Sequence, residues 1–140
     1  MTHRIVVGVD GSEQGNIALR WAGEEAKIHA GEIVAVFAWQ LPFIGMPGAF
    51  DRQEMETSCK AFLGEAVNAA FPAPEVPISK YVVEGDVSAS LIEAAKGADM
   101  LVLGSRGRGG FAGLKLGSVS QECVQHAACP VVIIKGLRVN

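Results

Sequence analysis

Apolar residues in this chain follow two rhythms that alternate from one end to the other. Apolar runs, rich in Val and Ile, fall at 4–10, 33–39, 78–83, 100–103 and 131–135, with Arg4, Asp10 and Lys135 at their ends and Ser79 and Lys80 inside the third. Short runs without a polar face predict strands buried on both sides, as in parallel sheets. Between the runs, apolar residues return every three or four positions. Ile17, Ala18, Trp21, Ala22 and Ala26 mark a first helix, opened by Ser12 as N-cap and closed by Gly31. Met55, Cys59, Phe62, Leu63, Ala66 and Val67 mark a second over 51–71, which Pro72-Ala73-Pro74 ends because proline lacks the N–H to continue. Asp86 caps a third that runs through Lys96, with Gly97 as its stop. A fourth covers 119–127, with Ser118 as N-cap and Gln121 completing a capping box.

Five strands alternating with four helices predict the α/β class: an open five-stranded parallel sheet with helices on its two faces and right-handed crossovers. In such sheets ligands settle outside the carboxyl ends of the strands, where the strand order reverses. The chain has 140 residues, without a repeat or a linker, and predicts one domain over 1–140. The segment 40–50 breaks the rhythm. It is apolar yet punctuated by Pro42, Gly45, Pro47 and Gly48, and reads as a loop that orders as a flap when a ligand binds.

Composition narrows the function classes. A hydrophobic fraction of 49% with 19% charged residues suits a compact fold. The formal charge of −3, with Lys and Arg scattered, leaves no footprint for nucleic acid. No apolar run approaches the roughly 20 residues that span a bilayer. Met1-Thr2-His3-Arg4 leads into a strand and not into a signal-peptide core, so a cytoplasmic protein without a membrane partner is expected. Cys59, Cys123 and Cys129 lack a Cys-x-x-Cys pair and read as free thiols. Cys123, His126 and Cys129 recur every three residues, but Pro130 breaks the helix and no fourth ligand is evident, which favours structural thiols over a metal site.

The candidate chemistry lies in the glycine-rich stretch from Gly104 to Ser118, between the fourth strand and the fourth helix. Backbone N–H groups at a helix start, reached through glycines, make a cradle for phosphoryl oxygens. A plain connector is the competing reading. Arg106, Arg108 and Lys115 add three cations to the stretch without an acid. Asp10-Gly11-Ser12 sits at the end of the first strand, where it makes a turn and helix cap, contacts a ligand, or does both. There is no Gly-x4-Gly-Lys-Ser/Thr string, no Gly-x-Ser-x-Gly elbow and no His-Glu-x-x-His helix. His3, His29 and His126 stand outside the glycine-rich stretch. No catalytic nucleophile or base is assigned.

The spacing Gly104-x2-Gly107-x9-Gly117-Ser118, followed by Val119 and Ser120, resembles the signature of the ATP-binding type of universal stress protein. The opening Val6-Val7-Gly8-Val9-Asp10-Gly11-Ser12 is also similar to that family, and the resemblance covers essentially the whole chain. It implies the strand order 3-2-1-4-5, which puts the first and fourth strands side by side at the reversal. It implies ATP and its accompanying Mg²⁺ as the ligand. Gly104, Arg106, Gly107, Gly117, Ser118, Val119 and Ser120 would then surround the phosphates. Asp10, with Gly11 and Ser12, would meet the ribose or the nucleotide-bound Mg²⁺, and Val9, Phe37 and Ala38 would lie near the adenine, Phe37 and Ala38 through their backbone. The resemblance further implies a homodimer through the last strand, whose apolar edge invites pairing, and a stress-response or signalling role with an unknown protein partner. A slow ATPase, a nucleotidyl-type transferase and a nucleotide-free interaction protein are the alternatives.

Overall fold

The structure, a computed structural model, describes residues 2–40, 51–105 and 116–135. Its elements in chain order are β1 (Arg4–Gly8), α1 (Glu13–Ile28), β2 (Glu32–Trp39), α2 (Arg52–Ala70), β3 (Ile78–Glu84), α3 (Val87–Ala94), β4 (Met100–Gly104), α4 (Ser118–His126) and β5 (Val131–Ile134). The strands form one sheet in the order β3-β2-β1-β4-β5, and each described pairing is parallel. Fold class and strand order are those expected. The segment 41–50, expected to act as a flap, lies outside the described residues.

Strand residues alternate between the two faces, and both faces are covered. Ile5, Val7, Ile33, Ala35 and Val102 pack against Ala18, Leu19 and Ala22 of α1 and Leu63 and Val67 of α2. Val6, Val36, Leu101 and Leu103 pack on the other side against Leu91 of α3 and Cys123 of α4. Ile5, Val6 and Val7 are all fully buried. That explains why β1 shows an unbroken apolar run instead of an alternating one. From β1 the chain turns to α1 on one face, and from β4 it turns to α4 on the other. Neighbouring strands whose connections part in this way leave a crevice between their carboxyl ends.

Side chains set the starts of α1, α2 and α3. Ser12 accepts from the Gly15 N–H at 2.9 Å, Asp51 accepts from Gln53 and Glu54, and Asp86 accepts from Ala89. The end of α1 differs from expectation. The left-handed residue is Ala30, with φ 52°, and Gly31 serves another purpose. A Cβ on Gly31 would stand 2.3 Å from the His3 carbonyl oxygen, so this glycine lets the chain pass close to the start of β1. Because alanine at positive φ is strained while glycine is not, Ala30→Gly is expected to stabilise the fold by about 1 kcal/mol. Thermal unfolding measures this, and a lower Tm in the variant would refute it.

The first strand also ends earlier than its apolar run. Hydrogen-bonded strand geometry stops at Gly8, although the Val9 N–H still donates to the Val36 carbonyl at 2.9 Å. This leaves Val9 and Asp10 beyond the sheet, at the mouth of the crevice. Among the described residues no helix is long and apolar enough to cross a membrane.

Candidate functional site

A cavity of about 350 Å³ fills the crevice between the carboxyl ends of β1 and β4. It has two chemically distinct ends. On the β2 side of β1, Val36 and Ala38 of β2 with Val87 and Leu91 of α3 make one end apolar, while on the β4 side Gly104, Gly117, Ser118 and Ser120 add backbone and hydroxyl groups, with Asp10 between them at the end of β1. A pocket of mostly apolar lining with a few converging polar groups has the character of a small-molecule site. Asp10 is the one titratable side chain among the described residues that line it.

The Asp10 carboxylate is held by the turn into α1. Its Oδ1 accepts from the Ser12 N–H at 2.9 Å and from the Ser12 hydroxyl at 2.6 Å. Gly11 makes that turn at φ 82°, and a Cβ there would come within 2.6 Å of the Phe62 ring. Gly11 and Ser12 therefore shape the turn and cap the helix; neither lines the cavity. Phe37 is also turned away. Its ring packs on Phe62, centroids 5.1 Å apart, on the α1–α2 face, whereas Ala38 and Val36 present their side chains to the cavity.

The start of α4 corrects the expected cap. Gly117 is the N-cap, at φ −69° and ψ 168°, and its carbonyl already accepts from the Gln121 N–H at 3.0 Å. The helix thus begins one residue earlier than a Ser118 cap requires. No side chain caps it, and the Gln121 amide instead donates to the Leu116 carbonyl at 3.4 Å, so the capping box does not form. Amides in a first helical turn have no partner within the helix. Those of Ser118, Val119 and Ser120 belong to residues that line the cavity.

Two further expected groups have structural work. The Ser120 hydroxyl, 3% exposed, donates to the Gly104 carbonyl at 2.9 Å and the Ser105 carbonyl at 3.3 Å. A Cβ on Gly104 would meet Gln14 Cβ at 3.0 Å and the Gly15 backbone nitrogen at 3.2 Å, so its lack of a side chain admits the first turn of α1. The structure thus brings together Val9, Asp10, Ala38, Gly104, Gly117, Ser118, Val119 and Ser120, and places Gly11, Ser12 and Phe37 outside the lining. Arg106 and Gly107, like Arg108 and Lys115, lie outside the described residues. Gly8, Val36, Val87, Leu91 and Leu103 line the cavity without having been singled out by sequence. Gly8 stands in the opening motif without an assigned role, and only the topology marks the other four, because each reads as ordinary core.

A larger groove, about 780 Å³, runs over β2, β3 and α3 with Val34, Tyr81 and Val83 on its floor. It shares Val36 with the first cavity but lacks the glycine-rich turn and the start of α4. Size alone is a weaker guide than converging donors, and the smaller cavity is the functional candidate.

Among the described residues, no group of three or more His, Cys, Asp or Glu is placed to hold a metal ion. Cys123 is fully buried, and burial, with Glu122 adding to it, pushes its thiol up to about 11. Burial also raises the Cys59 and Cys129 thiols, with smaller contributions from Glu56 and Asp99 respectively. The folded state therefore retains the Cys123 proton where the unfolded chain loses it. This contribution to stability is whole below the ordinary thiol value and falls as pH rises towards about 11. Iodoacetamide at pH 8 is expected to leave Cys123 unmodified in the native protein and to modify it after denaturation, as read by mass spectrometry. Rapid native labelling of Cys123 would contradict the burial argument.

Comparison with known proteins adds a family. The sequence pattern of the Universal stress protein family matches residues 1–135. Universal stress protein Rv2005c of Mycobacterium tuberculosis is 32% identical over 133 residues, covering 94% of this chain and 45% of that protein. The chain spans about half the length of the curated relatives it matches. A universal stress protein solved in complex with cAMP is similar at 28% identity and a TM-score of 0.71, covering 95% of this chain and 96% of that one. UspA from Lactobacillus plantarum shares the fold, with a TM-score of 0.78 at 22% identity over 94% of this chain and 97% of its own.

Proposed function

Because the chain belongs to the universal stress protein family, we propose that the cavity between β1 and β4 binds an adenine nucleotide, ATP with its Mg²⁺, in a cytoplasmic stress-response or signalling module of residues 1–140. The observation that carries this reading is the two-ended cavity. Its apolar end, from Val36 and Ala38 across to Leu91, suits the faces of a purine, and its polar end suits phosphate. The solved relative that holds cAMP supports an adenine nucleotide as the ligand class.

In this reading Val9 and Ala38 border the base, and Phe37 contributes only backbone. Gly11 and Ser12 act through Asp10, whose Oδ2 receives no hydrogen bond among the described residues and is available to a ribose hydroxyl or a nucleotide-bound Mg²⁺. The amides of Ser118, Val119 and Ser120 meet the phosphates, with Gly104 and Gly117 keeping the chain close and Arg106 and Gly107 completing the cradle. Mg²⁺ would supply charge neutralisation at the phosphates. With Asp10 as the one titratable described residue in the lining, the site favours holding a nucleotide over cleaving it.

The test is the nucleotide that copurifies with the protein, identified by mass spectrometry, followed by calorimetry with ATP and Mg²⁺, cAMP, AMP and GTP. ATP is expected to bind more tightly than GTP. A folded protein that takes up no adenine nucleotide would overturn the reading. The half-buried edge strand β5 further supports a homodimer through Val131–Ile134 and a surface for a protein partner. Light scattering is expected to find a dimer at micromolar concentration and a monomer in the Val132→Lys, Ile134→Lys double variant. A monomeric wild-type protein would remove the dimer.

A further inference from the structure

We propose that Ser105, tethered by Gln14, is a positioning residue that aims the first amides of α4 at the phosphate end of the cavity; this rests on the adenine-nucleotide reading above. Ser105 follows β4 directly and is 4% exposed. Four parts of the fold meet on it. Its N–H donates to the Ile134 carbonyl of β5 at 2.9 Å, and its hydroxyl donates to Gln14 Oε1 of α1 at 2.9 Å. Its carbonyl accepts from the Gly117 N–H at 3.0 Å and from the Ser120 hydroxyl at 3.3 Å.

The bond from Gly117 joins the two ends of the connection between β4 and α4. It also commits the Gly117 N–H to Ser105, so the donors left for an anion begin at Ser118. The backbone bonds would survive in any residue but proline at position 105. What the serine hydroxyl adds is the tether to α1, the helix whose cap fixes Asp10. Gly104 lies against Gln14 Cβ, so the Gln14 side chain starts from a backbone already packed on the end of β4. Removing the tether loosens the seat of α4 at its N-terminus while leaving the apolar lining of Val36, Leu91 and Leu103 as it is.

The predicted consequence separates the two halves of the ligand. Losing a buried hydroxyl's hydrogen bond is worth about tenfold in an equilibrium. Ser105→Ala is therefore expected to weaken ATP binding by severalfold, up to about tenfold if the whole worth of the tether goes into holding the α4 amides in place, while changing adenosine binding by less than about twofold. Gln14→Leu removes the same tether together with Gln14's other contacts, so the two positions are expected to couple: the double variant should lose less ATP affinity than the sum of the two single losses. In the ligand-free protein, hydrogen exchange at the Gly117 amide should quicken in both variants relative to Val102.

If Ser105→Ala does not fold, Ser105→Cys, which keeps the side-chain shape but donates only weakly, carries the same test. Equal losses for ATP and adenosine would make Ser105 merely structural and overturn the inference. So would unchanged ATP affinity and unchanged Gly117 exchange in variants of a protein that binds ATP. A wild-type protein that binds neither ligand would instead sink the nucleotide reading, and this inference with it.

Discussion

Replacing Gly117 with valine is expected to lower ATP affinity by about a hundredfold, roughly 2.7 kcal/mol, while leaving the protein folded. Its backbone, at φ −69° and ψ 168°, lies in the extended region open to any residue, so valine meets no conformational barrier there. Valine is a poor N-cap, and that costs about 1 kcal/mol out of a typical 5–15. The larger effect falls on the ligand. Gly117 lines the polar end of the cavity, where a branched side chain would hold phosphate away from the amides of Ser118 and Val119. Hydrogen bonds to a charged partner contribute about 1.5–3 kcal/mol each, so losing one or two accounts for the expected change. Calorimetry on a variant with a normal thermal transition decides the matter. Unchanged affinity in that folded variant would count decisively against the phosphate cradle.

The second large effect is on stability. Leu101→Ala is expected to cost about 3 kcal/mol, because deleting a buried leucine side chain loses its transfer energy and leaves a cavity. Leu101 is fully buried on β4, in register with Val6 on one side and Val131 on the other. For a domain of this size the loss corresponds to a fall in Tm of roughly 10 °C. Chemical denaturation should show a lower midpoint with an unchanged slope. A loss below about 1 kcal/mol would mean that α3 and α4 collapse into the gap, contrary to the close packing expected of a protein interior. Leu101 does not line the cavity, so a folded fraction that binds nucleotide normally is expected.

Much of the architecture was legible because two-sided burial writes itself into the sequence as unbroken apolar runs. Ile5, Val6 and Val7 are the clearest case. Periodicity carries no information about which strands are neighbours, and the strand order came from the family resemblance. Local rules failed where tertiary contact outweighed them. Glycine is the cheapest residue at positive φ, yet Ala30 takes that conformation, while the neighbouring Gly31 stands where a Cβ would meet the His3 carbonyl. Serine is a better cap than glycine, yet α4 starts on Gly117.

The site was legible at one end only. Asp10, Gly117 and Ser118 stand out because polar and glycine residues are unusual beside apolar strands. Val36, Leu91 and Leu103 could not be told from the core they also belong to. Phe37 and Ala38 are expected to act through their backbone, and successive side chains point to opposite faces, so only that of Ala38 lines the cavity.

The central place of β1 bears on how the chain acquires its shape. Ile5 pairs with Ile33 across a short stretch of chain and with Met100 across most of it. Closing the longer loop costs more conformational entropy, so the first pairing is expected to precede the second. Substitutions in β1, α1 and β2 should then slow refolding, while those in β4 and β5 should mainly hasten unfolding. The crevice takes its walls from both flanks of β1, from Ala38 on one side and from Leu103 and Ser118 on the other. On that timetable, competence to hold a ligand is gained only at the last step, when the second half of the sheet closes on the first.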